Sequence, residues 1–277
     1  MSAPAKKRSI EPRKSIGNAS EDDNIDQMMI DVEFEGRNPE SSDFHGVKQL
    51  LQQLFLKAQL NVSDMASVLV NQQSIGSVIK QVFDDEDDDD DVDVNQVFGI
   101  TTILNITEQK SECIEQLQKL MLNLSKQHGE PKVVEFINDY LVVKKKPLAL
   151  LVNERYVNIP PAISVPLLQS VSKELTNIKN KNTINDFSYF IMICKLYKMK
   201  EHKNKKSDQV IWSNAEEEIF DEESDYTFEF CVKDEKDSGL AGSWEEGDCE
   251  MIPYRRVLFF KSDKLDSIIK KIQNMLS

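Results

Sequence analysis

Residues 187–199 read FSYFIMICKLYKM, thirteen positions dominated by apolar and aromatic side chains. A strand of that length and apolarity is expected inside a sheet, with neighbours on both sides, and not on an exposed edge. Upstream, PLALLVNE (147–154) is a second apolar strand. The stretch between them, NIPPAISVPLLQSVSKELTNI (158–178), is helical. Pro160 and Pro161 suit a first turn, where a missing N–H costs nothing, and Pro166 further in predicts a kink or a late start.

Still further upstream, VFGITTILNIT (97–107) is rich in β-branched residues and reads as a buried strand. Residues 28–36, MMIDVEFEG, alternate apolar and polar side chains as a strand with one face buried, ended by Gly36. Asp43 is placed to cap a helix whose apolar positions Val47, Leu50, Leu51, Leu54, Phe55 and Ala58 share one face at a 3.6-residue period. Ser63 opens a shorter helix, Gly76 breaks it, and Val78–Phe83 follow as a strand. Helical spacing returns over 111–127 and 131–142, the latter ending at the basic patch Lys144–Lys146.

Downstream, EHKNKKSDQ (201–209) is a loop, YTFEFCV (226–232) alternates as a strand, and residues 233–251 form a loop or hairpin tip. RRVLFFKS (255–262) is the last strand, and Asp263 caps a C-terminal helix with Leu265, Ile268, Ile269, Ile272, Met275 and Leu276 inward. Helices and strands alternate in runs, with some strands adjacent. The expected fold is therefore α/β (or α+β): a single mixed sheet of about six or seven strands flanked by helices. Its domain would span 28–277, with an acidic insert at 84–95, behind a disordered tail at 1–27.

The 277 residues carry 48 Asp+Glu against 34 Lys+Arg, a net charge of −14. That average hides a segregation. Residues 84–93 hold nine acids and no base, and residues 216–250 hold fifteen acids against Lys233 and Lys236. Those −9 and −13 make −22, which leaves +8 on the remaining framework. Segregated acidity speaks about partners: it repels free nucleic acid and attracts a basic protein. No window approaches eighteen apolar residues, so no membrane span is expected. The start, MSAPAKKRSIEPRKS, has no apolar core of a secretory leader, so the Asn-X-Ser/Thr triplets at Asn18, Asn61, Asn105 and Asn123 read as chance matches.

Catalytic chemistry leaves little trace. The cysteines at 113, 194, 231 and 249 form no CxxC pair, and Cys194 and Cys231, inside apolar strands, read as core. His45, His128 and His202 are scattered, so no metal or catalytic site is assigned. QSIGSV (73–78) partly matches the [QR]xxGx[GA] loop that holds acyl-CoA in GNAT acetyltransferases, but such a loop follows a strand and opens a helix. Here the order is reversed and Val78 replaces a small residue, so an ordinary turn is expected. Asp87, Asp89 and Asp91 alternate like calcium ligands, yet Val92 and Phe98 stand where an EF-hand needs Gly and Glu.

Three groups remain as candidates. The first is the acidic run Asp84, Asp85, Glu86, Asp87, Asp88, Asp89, Asp90 and Asp91, an extended solvated loop suited to steering a cationic partner. The second is WSNAEEEIF, where Trp212 and Phe220 flank Glu216, Glu217 and Glu218. It reads first as an amphipathic helix docked on the core, and aromatics amid carboxylates also suit capture of an Arg/Lys-rich segment. The third is Lys6, Lys7 and Arg8, which with KNKK at 203–206 resemble nuclear-import signals.

The stretches VEFE (32–35), VKQLLQQLFLKA (47–58), IGSVIKQ (75–81), VFGITTILNITE (97–108), LLVNERYVNIPPAISVPL (150–167), NAEEEIF (214–220) and the GSW around Trp244 resemble the BCCIP family, in order and across most of the chain. The resemblance implies a GNAT-like sheet without the acyl-CoA machinery. It also implies a nuclear and cytoplasmic adaptor engaged in ribosome biogenesis, in yeast as chaperone and export factor for a large-subunit ribosomal protein. In animals it implies links to recombination repair and the cell cycle. The expectation is thus a non-enzymatic, cofactor-free chaperone for a basic large-subunit ribosomal protein, with no direct nucleic-acid or membrane partner. A repair and cell-cycle scaffold is the alternative, and an acetyltransferase-like enzyme ranks last.

Overall fold

A computed structural model describes residues 32–72, 74–82, 96–108, 110–181, 186–199, 210–235 and 251–277. The tail at 1–27, the acidic run at 84–91 and the basic loop at 201–209 lie outside these residues. In chain order the elements are β1 (Phe34–Arg37), α1 (Phe44–Phe55), α2 (Val62–Val70), β2 (Ser77–Gln81), β3 (Gly99–Asn105), α3 (Glu112–His128) and α4 (Pro131–Ile137). Then follow β4 (Leu148–Arg155), α5 (Ser164–Lys181), β5 (Tyr189–Met199), β6 (Val210–Trp212), α6 (Glu217–Glu222), β7 (Tyr226–Cys231), β8 (Met251–Lys261) and α7 (Leu265–Met275).

The strands form one open mixed sheet in the order β1-β2-β3-β4-β5-β8-β7, with β6 paired to β5 off this path. Every pairing is antiparallel except β4 with β5, which α5 connects as a parallel crossover. As its apolarity requires, β5 is interior: β8 pairs along its whole length, and β4 and then β6 share its other edge.

Alternation along the central strands divides the core in two. Leu148, Leu150 and Val152 of β4 pack with α1–α4, whereas Ala149 and Leu151 pack with α5, α6 and α7 on the opposite face. The inward face of α1 is the one read from the spacing, and α7 buries Leu265, Ile268, Ile269 and Ile272 as expected. Met275 in its last turn is exposed and Leu276 only half-buried, because the helix end runs past the core. Among the described residues no helix is long and apolar enough to cross a membrane.

Several local expectations are corrected. Gly36 does not end β1 but lies within it opposite Ile79, and it is small because a Cβ there would meet Leu167 Cδ2 at 2.7 Å. Asp43 and Asp263 do not cap their helices through their side chains, since a short 3-10 turn precedes each. The buried Asp43 carboxylate instead accepts the Glu40 N–H and pairs with Lys80 Nζ at 2.6 Å. Asn61, not Ser63, caps α2 by accepting the Asp64 N–H. Pro166 falls in the first turn of a late-starting α5. Cys194 is buried as expected, but Cys231 is exposed near the end of β7. An eighth strand, β6, is too short at three residues to leave a periodicity.

Candidate functional site

The parallel pair β4/β5 is in register only from Leu148↔Tyr189 to Leu151↔Met192. Beyond that point β4 stays on β3 as far as Arg155, and β5 stays on β8 as far as Met199. An opening beyond the carboxyl ends of parallel strands is where open α/β sheets usually hold ligands. Here the chain fills it with its own residues 210–217.

β6 extends β5, and the Ser213 N–H donates to the Lys195 carbonyl at 2.9 Å. The Arg155 guanidinium makes a two-pronged contact with Glu216, Nη2 reaching Oε2 at 2.8 Å and Nη1 reaching Oε1. Asn153 joins the same carboxylate, its Nδ2 donating to Glu216 Oε1 at 2.8 Å while its Oδ1 accepts from Thr101 Oγ1 at 2.9 Å. Asn214 Nδ2 donates to Glu217 Oε1 at 2.8 Å. On the other sheet face, Glu154 pairs with Lys195. Glu154, Arg155, Lys195, Glu216 and Glu217 are all buried. Burial and then the negative charge of Glu154 hold the Glu217 carboxyl well above the usual carboxylate range, against the Asn214 hydrogen bond. Burial, reinforced by Glu217 and Glu154, likewise pushes the Cys194 thiol up.

The expectation that Glu216, Glu217 and Phe220 face a partner is therefore corrected. All three are fully buried, and Phe220 packs on Phe260 with ring centroids 5.3 Å apart. The docked amphipathic helix is the arrangement the structure adopts. Trp212 is half-buried, and its ring already carries a cation, with Arg256 Cζ 5.2 Å from the centroid.

Glu218 is exposed, and so is Glu222, one turn further along the same helix. Neither has an ion-pair partner among the described residues, whereas Asp221 pairs with Arg256 and Glu223 with Lys271. Glu222 escaped the sequence reading although it stands at i+4 from Glu218. Burial acts to raise the Glu229 carboxyl, but hydrogen bonds and charge from Lys198 and Arg256 outweigh it and hold it below the ordinary value.

Asp84–Asp91 and Lys6, Lys7 and Arg8 lie outside the described residues, but the flanks of the acidic segments are defined. Val82 and Gln96 flank the first, at the end of the sheet where Gly99 pairs with Arg155. Glu235 and Met251 flank residues 236–250, the last part of the second, and Met251 pairs with Met199. Arg155 and Met199 are the carboxyl ends of two parallel strands, so both acidic segments join the sheet at one end. In the sheet order three strand spacings separate β3 from β8, on the order of 15 Å.

The acyl-CoA-like stretch is a turn from α2 into β2. Gly76 has φ +106°, its N–H donates to Glu174 Oε2 at 2.9 Å, and a Cβ there would lie 2.4 Å from Thr102 Oγ1. The amide that would face a phosphate already serves a carboxylate. Among the described residues no group of three or more His, Cys, Asp or Glu side chains could hold a metal ion.

The class this defines is an α/β protein whose sheet crevice is sealed by its own chain. The BCCIP family model matches residues 29–220, and the chain belongs to that family. A BCCIP homolog of Drosophila melanogaster is 38% identical over 254 residues, covering 90% of this chain and 85% of that protein. The Homo sapiens protein named "BRCA2 and CDKN1A-interacting protein" is 36% identical over 257 residues, covering 90% and 82%. The crystal structure of BCP1 from Saccharomyces cerevisiae shares the fold, with TM-score 0.57 over 92% of this chain and 94% of that one, at 16% identity.

Proposed function

We propose that this protein is a non-enzymatic chaperone and adaptor that shields a basic large-subunit ribosomal protein during ribosome biogenesis and transport between cytoplasm and nucleus. The observation that carries this reading is the −9 of residues 84–93 and the −4 of residues 236–250, two segments whose flanks sit at the same end of the sheet. Carboxylates there would occupy the partner's Lys and Arg side chains until RNA, with its higher charge density, displaces them. The exposed pair Glu218 and Glu222 adds to this acidity, while Glu216 and Glu217 hold the fold. The sealed crevice and the occupied Gly76 amide support a binding role over acyl transfer. Lys6, Lys7 and Arg8 would serve nuclear import.

The test converts the seven Asp of residues 84–91 to Asn and Glu86, Glu218 and Glu222 to Gln, then measures affinity for isolated large-subunit ribosomal proteins against salt concentration. Weaker binding with a shallower salt dependence is expected. Unchanged affinity and slope would remove the mechanism. A second reading, a scaffold in recombination repair and cell-cycle control, is favoured by the name of the human relative. Affinity purification that returns repair proteins and no ribosomal ones would put it first.

A further inference from the structure

The opposite end of the sheet has a different character. There β4 and β5 begin and β8 ends, with Leu148 opposite Tyr189 and Tyr189 opposite Lys261. An open cleft of about 1080 Å³, solvent-filled space included, is lined there by Tyr140, Lys146, Pro147, Tyr189, Lys261 and Asp263, among others. Phe136 braces its tyrosines, with ring centroids 4.6 Å from Tyr140 and 4.9 Å from Tyr189.

Beside the cleft, helix α4 widens into a π-helical turn over Asn138–Val142, and Lys144 takes φ +55°. π-helical turns within α-helices are frequent at functional sites, and the left-handed Lys144 ends the helix here. This turn presents Val142 and Val143 at 61% and 63% exposure, directly ahead of three consecutive lysines. Two adjacent valines so exposed contribute nothing to the core.

Charge here runs against the molecule's average. Lys145 pairs with Asp139, Lys179 with Asp186 and Lys264 with Asp225. Among the described residues Lys144 reaches only the Thr107 carbonyl, at 3.5 Å. Lys146 and Lys261 have no carboxylate partner among the described residues, and Asp263 is the one cleft acid without a lysine. Three lysines are thus uncompensated against one carboxylate, around an aromatic floor and an apolar pair. Valines offer nothing to a nucleobase, whereas an apolar peptide side chain packs against them. A protein segment with apolar anchors set among acids matches both halves of the surface.

We infer that this end docks an acidic peptide segment of a protein partner, its apolar anchor on Val142, Val143 and Tyr140, its carboxylates on Lys144, Lys146 and Lys261. The molecule would then hold two partners of opposite charge at opposite ends of one sheet.

The test titrates the full-length protein into a fluorescein-labelled peptide of sequence EDELFEDE, with EDESSEDE and an oligouridine as comparison probes. The double variant Lys146→Glu/Lys261→Glu is expected to weaken EDELFEDE binding by roughly tenfold or more. Val142→Ser/Val143→Ser is expected to reduce EDELFEDE to the affinity of EDESSEDE, with melting temperature unchanged for both variants. Lys57→Glu, an exposed charge reversal just beyond α1, should have no effect. Equal weakening by Lys57→Glu, tighter binding of oligouridine than of EDELFEDE, or no peptide binding would each overturn the proposal. Sedimentation showing a self-association that Lys146→Glu/Lys261→Glu dissolves would give the site to a second copy's acidic segment and overturn it as well.

Discussion

Glu216 and Glu229 are both held by an arginine, yet they do different things. Glu216 is sealed in the β4/β5 opening, where Arg155 and Asn153 satisfy its two oxygens. Glu229 lies on a half-open face, shared by Arg256 and Lys198, with about a third of its side chain exposed. The first pair has no water to fall back on and closes a crevice; the second trades protein for solvent at small cost. The contrast teaches that acidity in one stretch of sequence divides by burial into structural and available charge.

The largest expected effect lies inside. Glu216→Ala leaves a buried guanidinium and a buried amide without their acceptor, so a loss of about 3–5 kcal/mol is expected in denaturant unfolding. The double variant Arg155→Met/Glu216→Leu should recover most of it, because apolar residues of similar volume often replace a buried ion pair without net cost. A double variant no better than Glu216→Ala would show that the pair's directional hydrogen bonds, and not charge burial, set the penalty.

Next is the neighbouring Glu217, whose carboxyl is raised. A carboxyl that holds its proton more tightly when folded costs stability as pH climbs from its unfolded value, near 4.3, toward its folded one. Glu217→Gln keeps the shape without that proton equilibrium. It should therefore gain on the native protein steadily as pH rises above that point, and match it below. Melting temperatures from pH 4 to 8 decide this, and parallel profiles would mean that Glu217 is ionised in the fold.

Glu229 has the opposite sign. Its depressed carboxyl contributes above the ordinary value and loses that contribution as pH falls through the folded one. Glu229→Gln should cost about 1 kcal/mol at neutral pH, discounted for its exposure, and nothing at pH 3. Chemical denaturation at the two pH values checks it.

The same contrast explains what could be read from the sequence. Periods of two and 3.6 report which face is apolar, so β5, the inward stripe of α1 and that of α7 as far as Ile272 were legible. The sealing network was not. Asn153, Glu154 and Arg155 look like the polar end of an apolar strand, and the partner of Arg155 lies 61 residues further along the chain. Spacing carries no information about such a distant pairing. A weaker signal did exist, because three polar residues closing a strand of a buried parallel pair must each find a partner. Asp43 misled for a related reason: short-range rules make it a cap, and a lysine 37 residues away takes its carboxylate instead. Gly36 read as a terminator because the packing of Leu167 against it is invisible locally.

The smallest stability effect separates structure from function most cleanly. Glu218 and Glu222 stand four apart on α6, both exposed, a like-charge pair that works against the helix it occupies. A six-residue helix has little stability of its own, and this one is anchored by Glu216 just before it and by Phe220 within it. Glu218→Gln/Glu222→Gln should therefore leave stability unchanged or raise it by about 0.3 kcal/mol, through relief of repulsion. The same double variant should weaken binding of a basic partner, with the loss growing as salt is lowered. Stability and affinity moving in opposite directions would mark these two carboxylates as kept for binding at the helix's expense. A drop in stability with affinity intact would instead return them to the structural acids beside them.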